Sequence, residues 1–86
     1  MIIKNPLWAR VLELLYDPNI HYNIILLART MPSTTYSTTV NILKELQSKN
    51  LLTITRIGRS SHIKITSKGV RLAELLIKVD MILEED

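Results

Sequence analysis

The stretch PSTTYSTTVNILKELQSKNLL, Pro32 to Leu52, decides how the rest of the chain reads. Proline suits a turn better than a helix interior. Thr34 and Thr35 follow, and either hydroxyl can cap a helix start. With Thr35 as the cap, Tyr36, Ser37 and Thr38 form the first turn. Tyr36, Thr39, Val40, Leu43 and Leu46 then recur at helical spacing, with Ile42 at the edge, and this is the expected core side. The opposite side carries Thr34, Ser37, Thr38, Asn41, Lys44, Glu45 and Ser48. A helix face that only meets solvent is usually rich in Lys, Glu and Gln, which favour the helix; Ser, Thr and Asn are weaker formers, so their excess needs another cause. One cause is DNA. Short side chains let a helix come close to a duplex, with hydroxyls and N–H groups at its start meeting phosphates. Asn41 can contact adenine through two hydrogen bonds, and threonine methyls can pack on thymine methyls. The other reading is a Thr-rich turn feeding an ordinary core helix.

Working outward towards the C-terminus, Leu51 to Ile57 reads as a strand, with Leu52 and Ile54 alternating against Thr53 and Thr55. Gly58-Arg59-Ser60-Ser61 reads as a turn. His62 to Thr66 is the returning strand, with Ile63 and Ile65 inward and His62 and Lys64 outward. This hairpin holds Arg56, Arg59 and Lys64 and no acid. A hairpin alone is marginal, so its isoleucine side must pack on helices while its tip stays free for a phosphate backbone or a minor groove. Thr66-Ser67-Lys68-Gly69 opens a last helix. Leu72, Leu75, Leu76, Val79, Ile82 and Leu83 form one stripe on it, close to heptad spacing, and Val70, Ala73, Ile77 and Met81 form another. A helix apolar on two sides needs two partners, and a second copy of the chain is the economical second one. Glu84-Glu85-Asp86 reads as a frayed acidic end.

Towards the N-terminus, Asn23 caps an expected helix over Ile24 to Thr30, with Leu27, Ala28 and Met31 on its core face. Ile25 and Leu26 widen its apolar surface, either as a helix wedged between two others or as a surface shared with a second subunit. Ile20 to Tyr22 reads as a short strand beside the hairpin. Asn5-Pro6 begins the first helix in the usual cap-then-proline manner. Leu7, Val11, Leu14 and Leu15 are its apolar face, with Trp8 and Leu12 beside it, and Asp17-Pro18-Asn19 ends it.

The expected fold class is therefore mainly α with a β-hairpin, in the order helix, short strand, helix, helix, strand, strand, helix. Its 86 residues make one small domain, in which residues 67–86 are the expected dimerisation helix. A lone core of this size is marginal, which also favours oligomerisation. The net charge of +3 conceals an asymmetry: residues 1–71 hold ten Lys and Arg against Glu13, Asp17 and Glu45, while residues 72–86 hold one Lys against five acids. A basic body with an acidic end points to a polyanion partner for the body.

In order and spacing these elements resemble the winged helix-turn-helix transcriptional regulators, most closely the MarR-like and PadR-like groups and small archaeal or viral relatives. Three pieces carry the resemblance. Leu27-Ala28 is similar to the Leu-Ala of the family's second helix. YSTTVNILKELQSKNLL is similar to the segment from the recognition helix into the first wing strand, with Asn50 where the family often has glycine. ITSKG, Ile65 to Gly69, is similar to the family's exit from the wing. Together they span residues 20–72. The resemblance implies a homodimer that reads a roughly palindromic site in double-stranded DNA. By position, Ser37, Thr38 and Asn41 become base or phosphate contacts, and Arg56, Arg59 and Lys64 become wing contacts. The full expected DNA-binding set is Thr34, Thr35, Tyr36, Ser37, Thr38, Asn41 and Lys44 with Arg56, Arg59, Ser60, Ser61, His62 and Lys64. The expected dimer interface is Leu72, Leu75, Leu76, Val79, Ile82 and Leu83. The terminal helices and the wing are shorter here than in MarR-like proteins, which leaves a small-molecule effector unassigned.

Other classes find less support. No catalytic set is visible; His21 and His62 are the only histidines, and neither has an acid close by in sequence. Two histidines without cysteine do not complete a usual structural zinc site. Gly58 and Gly69 are the only glycines, so no phosphate-binding glycine loop exists. The expectation is a protein that is not an enzyme and needs no metal or cofactor. Trp8, Tyr16, Tyr22 and Tyr36 are too scattered for an RNA-stacking platform. The serious rival is a winged-helix module that binds protein and no nucleic acid, which the wide apolar helix faces suit and the basic hairpin does not. No apolar run approaches the ~20 residues of a membrane span, Met1-Ile2-Ile3-Lys4 is no signal peptide, and a cytoplasmic setting is expected.

Overall fold

The computed structural model describes residues 7–31 and 34–85. Four helices and one hairpin follow in the order α1 (Leu7–Leu15), α2 (Ile24–Thr30), α3 (Tyr36–Ser48), β1 (Leu52–Ile57), β2 (Ser60–Ile65) and α4 (Ser67–Leu83). The Asn5-Pro6 helix start and the Pro32 turn lie outside the described residues.

Each helix after the first begins on a side-chain cap. The Leu26 N–H donates to Asn23 Oδ1 at 2.7 Å, the Thr38 N–H to Thr35 Oγ1 at 3.2 Å and the Gly69 N–H to Thr66 Oγ1 at 3.1 Å. Each satisfies one of the donors that a helix start leaves unpaired. The end of α3 is equally defined. Asn50 takes a left-handed φ of 62°. Its N–H reaches the Gln47 carbonyl at 3.0 Å, and the Leu51 N–H reaches the Leu46 carbonyl at 3.0 Å. This is a Schellman stop with asparagine in the place glycine usually holds. It swings Leu51 and Leu52 directly into the core, so α3 and β1 are set at a fixed angle.

The core is one cluster in which Leu12, Leu27, Leu43 and Leu52 are fully buried, one from each of α1, α2, α3 and β1. Thr39 is buried with them, and its hydroxyl donates to the Thr35 carbonyl at 3.1 Å, one turn back in the helix. The hairpin is antiparallel, with Leu52 opposite Ile65 and Ile54 opposite Ile63. That face lies on the helices, and Thr53, Thr55, His62 and Lys64 take the other. The α4 helix leaves the hairpin at Gly69, where a Cβ would overlap the Leu51 carbonyl and come within 2.7 Å of Ile65 Cγ1. Thr66 reinforces this corner: its hydroxyl donates to the Asn50 carbonyl at 2.7 Å and its N–H to the Leu51 carbonyl at 3.1 Å.

Several sequence expectations are corrected. The short strand over Ile20 to Tyr22 does not form; it shrinks to a single bridge between Asn23 and His62, with the Ile63 N–H donating to the Tyr22 carbonyl at 3.0 Å. Asn23 must also cap α2, which stops the pairing there. The returning strand starts at Ser60, because Ile57 pairs with Ser60 across a turn of only Gly58 and Arg59. Gly58 has a φ of 61° and Arg59 has no positive φ, the pattern of a II′ turn. In α1, Leu12 is fully buried while Leu7 is 43% exposed, and Ala9 rather than Leu7 joins the buried side. Tyr36, placed on the core side by spacing, is 55% exposed, since it stands at the open end of α3. The expected first stripe of α4 divides. Leu72 and Leu76 pack on the chain's own core. Leu75, Val79, Ile82 and Leu83 stay exposed, with Met81 from the second stripe.

Candidate nucleic-acid interface

The candidate interface combines the outward face of α3 with the tip of the hairpin. On α3, the buried Thr39, Leu43 and Leu46 define the inner side. Ser37, Asn41, Lys44 and Ser48 follow one another three or four residues apart and fall opposite it, all exposed. Thr38 is exposed on one flank of that face and Tyr36 on the other. One of the threonines serves the helix itself. The Thr35 hydroxyl accepts from the Thr38 N–H and donates to Thr38 Oγ1 at 2.9 Å, so it is occupied by the cap. Thr34 is half-buried. The sequence grouped seven positions between Thr34 and Lys44 as contacts; all but Thr34 are exposed, Thr35 while also serving as the cap.

The hairpin tip comes back to the start of α3. Tyr36 lines one groove of about 70 Å³ together with Arg59, Ser60 and Ser61 of the hairpin and Asn23, Ile24 and Ile25 at the start of α2. The first turn of α3 and the wing tip are therefore neighbours, with no carboxylate among the residues around the groove. Strand alternation distributes the remaining cations. Arg56 pairs with Ser61 on the face that also holds Ile54 and Ile63, beyond the point where the helices cover it. His62 and Lys64 lie on the opposite face. Lys64 lines a separate groove beside Asp17, Pro18 and Ile20, away from the tip. The sequence placed Arg56, Arg59 and Lys64 together as wing cations; Arg59 is the one beside α3, and Lys64 is not.

Glu45 is the one acid in α3. It forms an exposed pair with Lys49 at 3.6 Å, one turn further on, and a surface pair of this kind contributes little. The α2 side of the groove was not foreseen as part of the site. Asn23, Ile24 and Ile25 read in sequence as a cap and an apolar helix start, with Ile25 on a surface for another helix or a second subunit, and nothing local signals that a hairpin tip will fold onto them. Among the described residues no group of three His, Cys, Asp or Glu side chains is placed to hold a metal ion, and no helix is long and apolar enough to cross a membrane.

No family model matches the chain, and no curated protein does either. Solved structures do match. AF1382 from Archaeoglobus fulgidus superposes with a TM-score of 0.84 at 22% identity, over 92% of this chain and 89% of that one. MepR, a transcription regulator of the Staphylococcus aureus multidrug efflux pump MepA, superposes at 0.80 and 23% identity, over 90% of this chain and 58% of that one. MepR has also been solved in complex with DNA, and the likeness to that structure is again 0.80. A possible HxlR family transcriptional factor from Thermoplasma volcanium superposes at 0.78 and 16% identity, over 88% of this chain and 69% of that one. At such identities the likeness is one of fold. The fold is the winged helix-turn-helix, shared with MepR, a transcription regulator, and with the possible HxlR family transcriptional factor. The chain spans 58% of the length of MepR.

Proposed function

We propose that this protein is a double-stranded DNA-binding transcriptional regulator that acts as a homodimer. The observation that carries the proposal is the junction of Tyr36 and Arg59 in one groove free of acids, beside the exposed Ser37, Thr38 and Asn41. In this reading α3 enters the major groove, Asn41 reads a base edge, and Ser37, Thr38 and Lys44 meet bases or phosphates. Arg59, with Ser60 and Ser61, lies on the neighbouring backbone or in the minor groove; Arg56 and His62 assist from the two faces of the hairpin. The solved complex of MepR with DNA supports the reading by analogy of fold. The whole chain acts as one winged helix-turn-helix domain. Residues 67–86 join two copies through Leu75, Val79, Ile82 and Leu83, whose apolar surface stays exposed among the described residues.

The rival reading, a protein-binding winged helix, is favoured by Ile25 and Leu26, which are 56% and 39% exposed on α2. Selection of duplexes from a random pool, followed by sequencing, separates the two. Enrichment of a roughly palindromic site supports dimeric DNA recognition. A pool that emerges unenriched favours the protein-binding module.

A further inference from the structure

Glu13 sits on α1, a helix that packs on α4, α3 and β2. Its side chain faces that of Asp80 in α4, an acid beside an acid. Its Oε1 is sealed from solvent, with no hydrogen-bond donor on it. A carboxylate in such a place is poorly solvated, and a second negative charge at hydrogen-bond range raises the cost of ionising both groups. Burial first, then the hydrogen bond and the charge of Asp80, push the Glu13 carboxyl from 4.5 up to about 7, against a weaker opposite pull from Arg10 on its own helix. The remaining charged groups of the elements packed on α1 are exposed: Lys44 and Glu45 on α3, His62 and Lys64 on β2, and Lys68, Arg71, Glu74 and Lys78 on α4.

We propose that Glu13 and Asp80 form a proton-linked clamp: one proton held between the two carboxyls fastens the C-terminal half of α4 to α1, and its departure to solvent loosens that half. The clamped half carries Val79, Ile82 and Leu83. If the regulator reading above holds, on which this consequence rests, self-association and DNA affinity weaken as the proton leaves.

The sign follows from linkage. The folded chain binds the proton more tightly than the unfolded chain does. The stabilisation is therefore complete below the ordinary value of 4.5 and is lost as pH rises through about 7. Within that window the folding equilibrium falls by up to about tenfold per pH unit relative to a variant that cannot titrate there.

The test is a carboxyl ¹³C NMR titration of the full chain, alongside urea unfolding of the wild type and of Glu13→Gln and Asp80→Asn between pH 5 and 8. The clamp predicts a Glu13 midpoint near 7 in the wild type, a lower midpoint in Asp80→Asn, and a wild-type stability that declines with pH while Glu13→Gln stays level. A Glu13 midpoint in the ordinary carboxylate range, or parallel stability profiles for wild type and Glu13→Gln, overturns it. Should the variants fail to fold, the wild-type titration alone decides. Duplex binding measured at pH 6 and pH 8 separates the two ideas. Weaker binding at the higher pH supports both. No binding at either pH, with the midpoint near 7 standing, rejects the regulator and leaves the clamp supported.

Discussion

Asn50 holds the left-handed backbone that ends α3, a conformation that costs a residue with a Cβ about 1–2 kcal/mol unless its side chain is asparagine or aspartate. Asn50→Gly should therefore leave stability unchanged or slightly raised, and Asn50→Ala should lower it by about 1 kcal/mol in urea unfolding. At Gly69 the constraint is space, because a Cβ would meet the Leu51 carbonyl, which is backbone and cannot turn aside. Gly69→Ala should cost about 1–3 kcal/mol or prevent folding, and a stability equal to wild type would show that the β2–α4 corner gives more readily than the geometry implies. The sequence made the Gly69 and Asn50 positions visible only through a family resemblance; Gly69 is needed because of the Leu51 carbonyl, a contact across the corner, and Asn50 because of the left-handed turn that the Schellman hydrogen bonds close. In the site, Arg59→Ala should weaken binding to all duplexes about equally and flatten the salt slope by about one phosphate contact. Asn41→Ala should change which sequences are preferred, at about 1–3 kcal/mol for the favoured base. Anisotropy titrations on a small panel of duplexes measure both, and identical behaviour of the two variants would show that the roles given to helix and wing are wrong.

At the scale of the element, α3 was almost wholly legible. The Thr35 cap, the buried side of Thr39, Leu43 and Leu46 and the hydroxyl-rich outer side all follow from local periodicity, which is set within a few turns of helix. The α4 helix was not. Its apolar residues occupy most of its circumference, so spacing alone could not say that Gly69, Leu72, Ala73 and Leu76 face inward while Leu75, Val79 and Ile82 face out. The pairing of Glu13 with Asp80 was invisible for the same reason: each looks like an ordinary surface acid until two helices distant in sequence are laid together. The division within α4 makes a prediction. Leu76→Glu places a charge in the core and should unfold the chain. Ile82, 64% exposed, is free of that duty, so Ile82→Glu should leave a folded chain that no longer self-associates. Sedimentation of wild type and Ile82→Glu at tens of micromolar, roughly where a weak dimer of standard interface size still forms, checks this. A wild-type chain that sediments as a monomer removes the dimer from the account.

At the scale of the molecule, the Cα radius of gyration of 13.1 Å exceeds the ~12 Å of a compact chain of this length, and the long dimension is 48 Å against 28 and 24 Å across. A shape this extended leaves room for the two proposed tasks on separate surfaces, α3 and the wing tip for a polyanion and the far half of α4 for a second copy. Composition already hinted at this division, since ten of the eleven basic residues lie in the first 71 positions and five of the eight acids in the last 15. It could not show that Arg59 folds back beside Tyr36 while Lys64 faces elsewhere, because the wing's direction depends on how Asn50 and Gly58 bend the chain. If the α3 face and the wing tip act as one surface on DNA, each phosphate neutralised must cost close to one logarithmic unit of affinity for every tenfold rise in salt. The most direct measurement is a fluorescence anisotropy titration of the wild-type chain against a mixed duplex pool at several salt concentrations. Binding at low salt that declines steeply as salt is raised is the predicted result; no binding to any duplex at low salt would contradict the account.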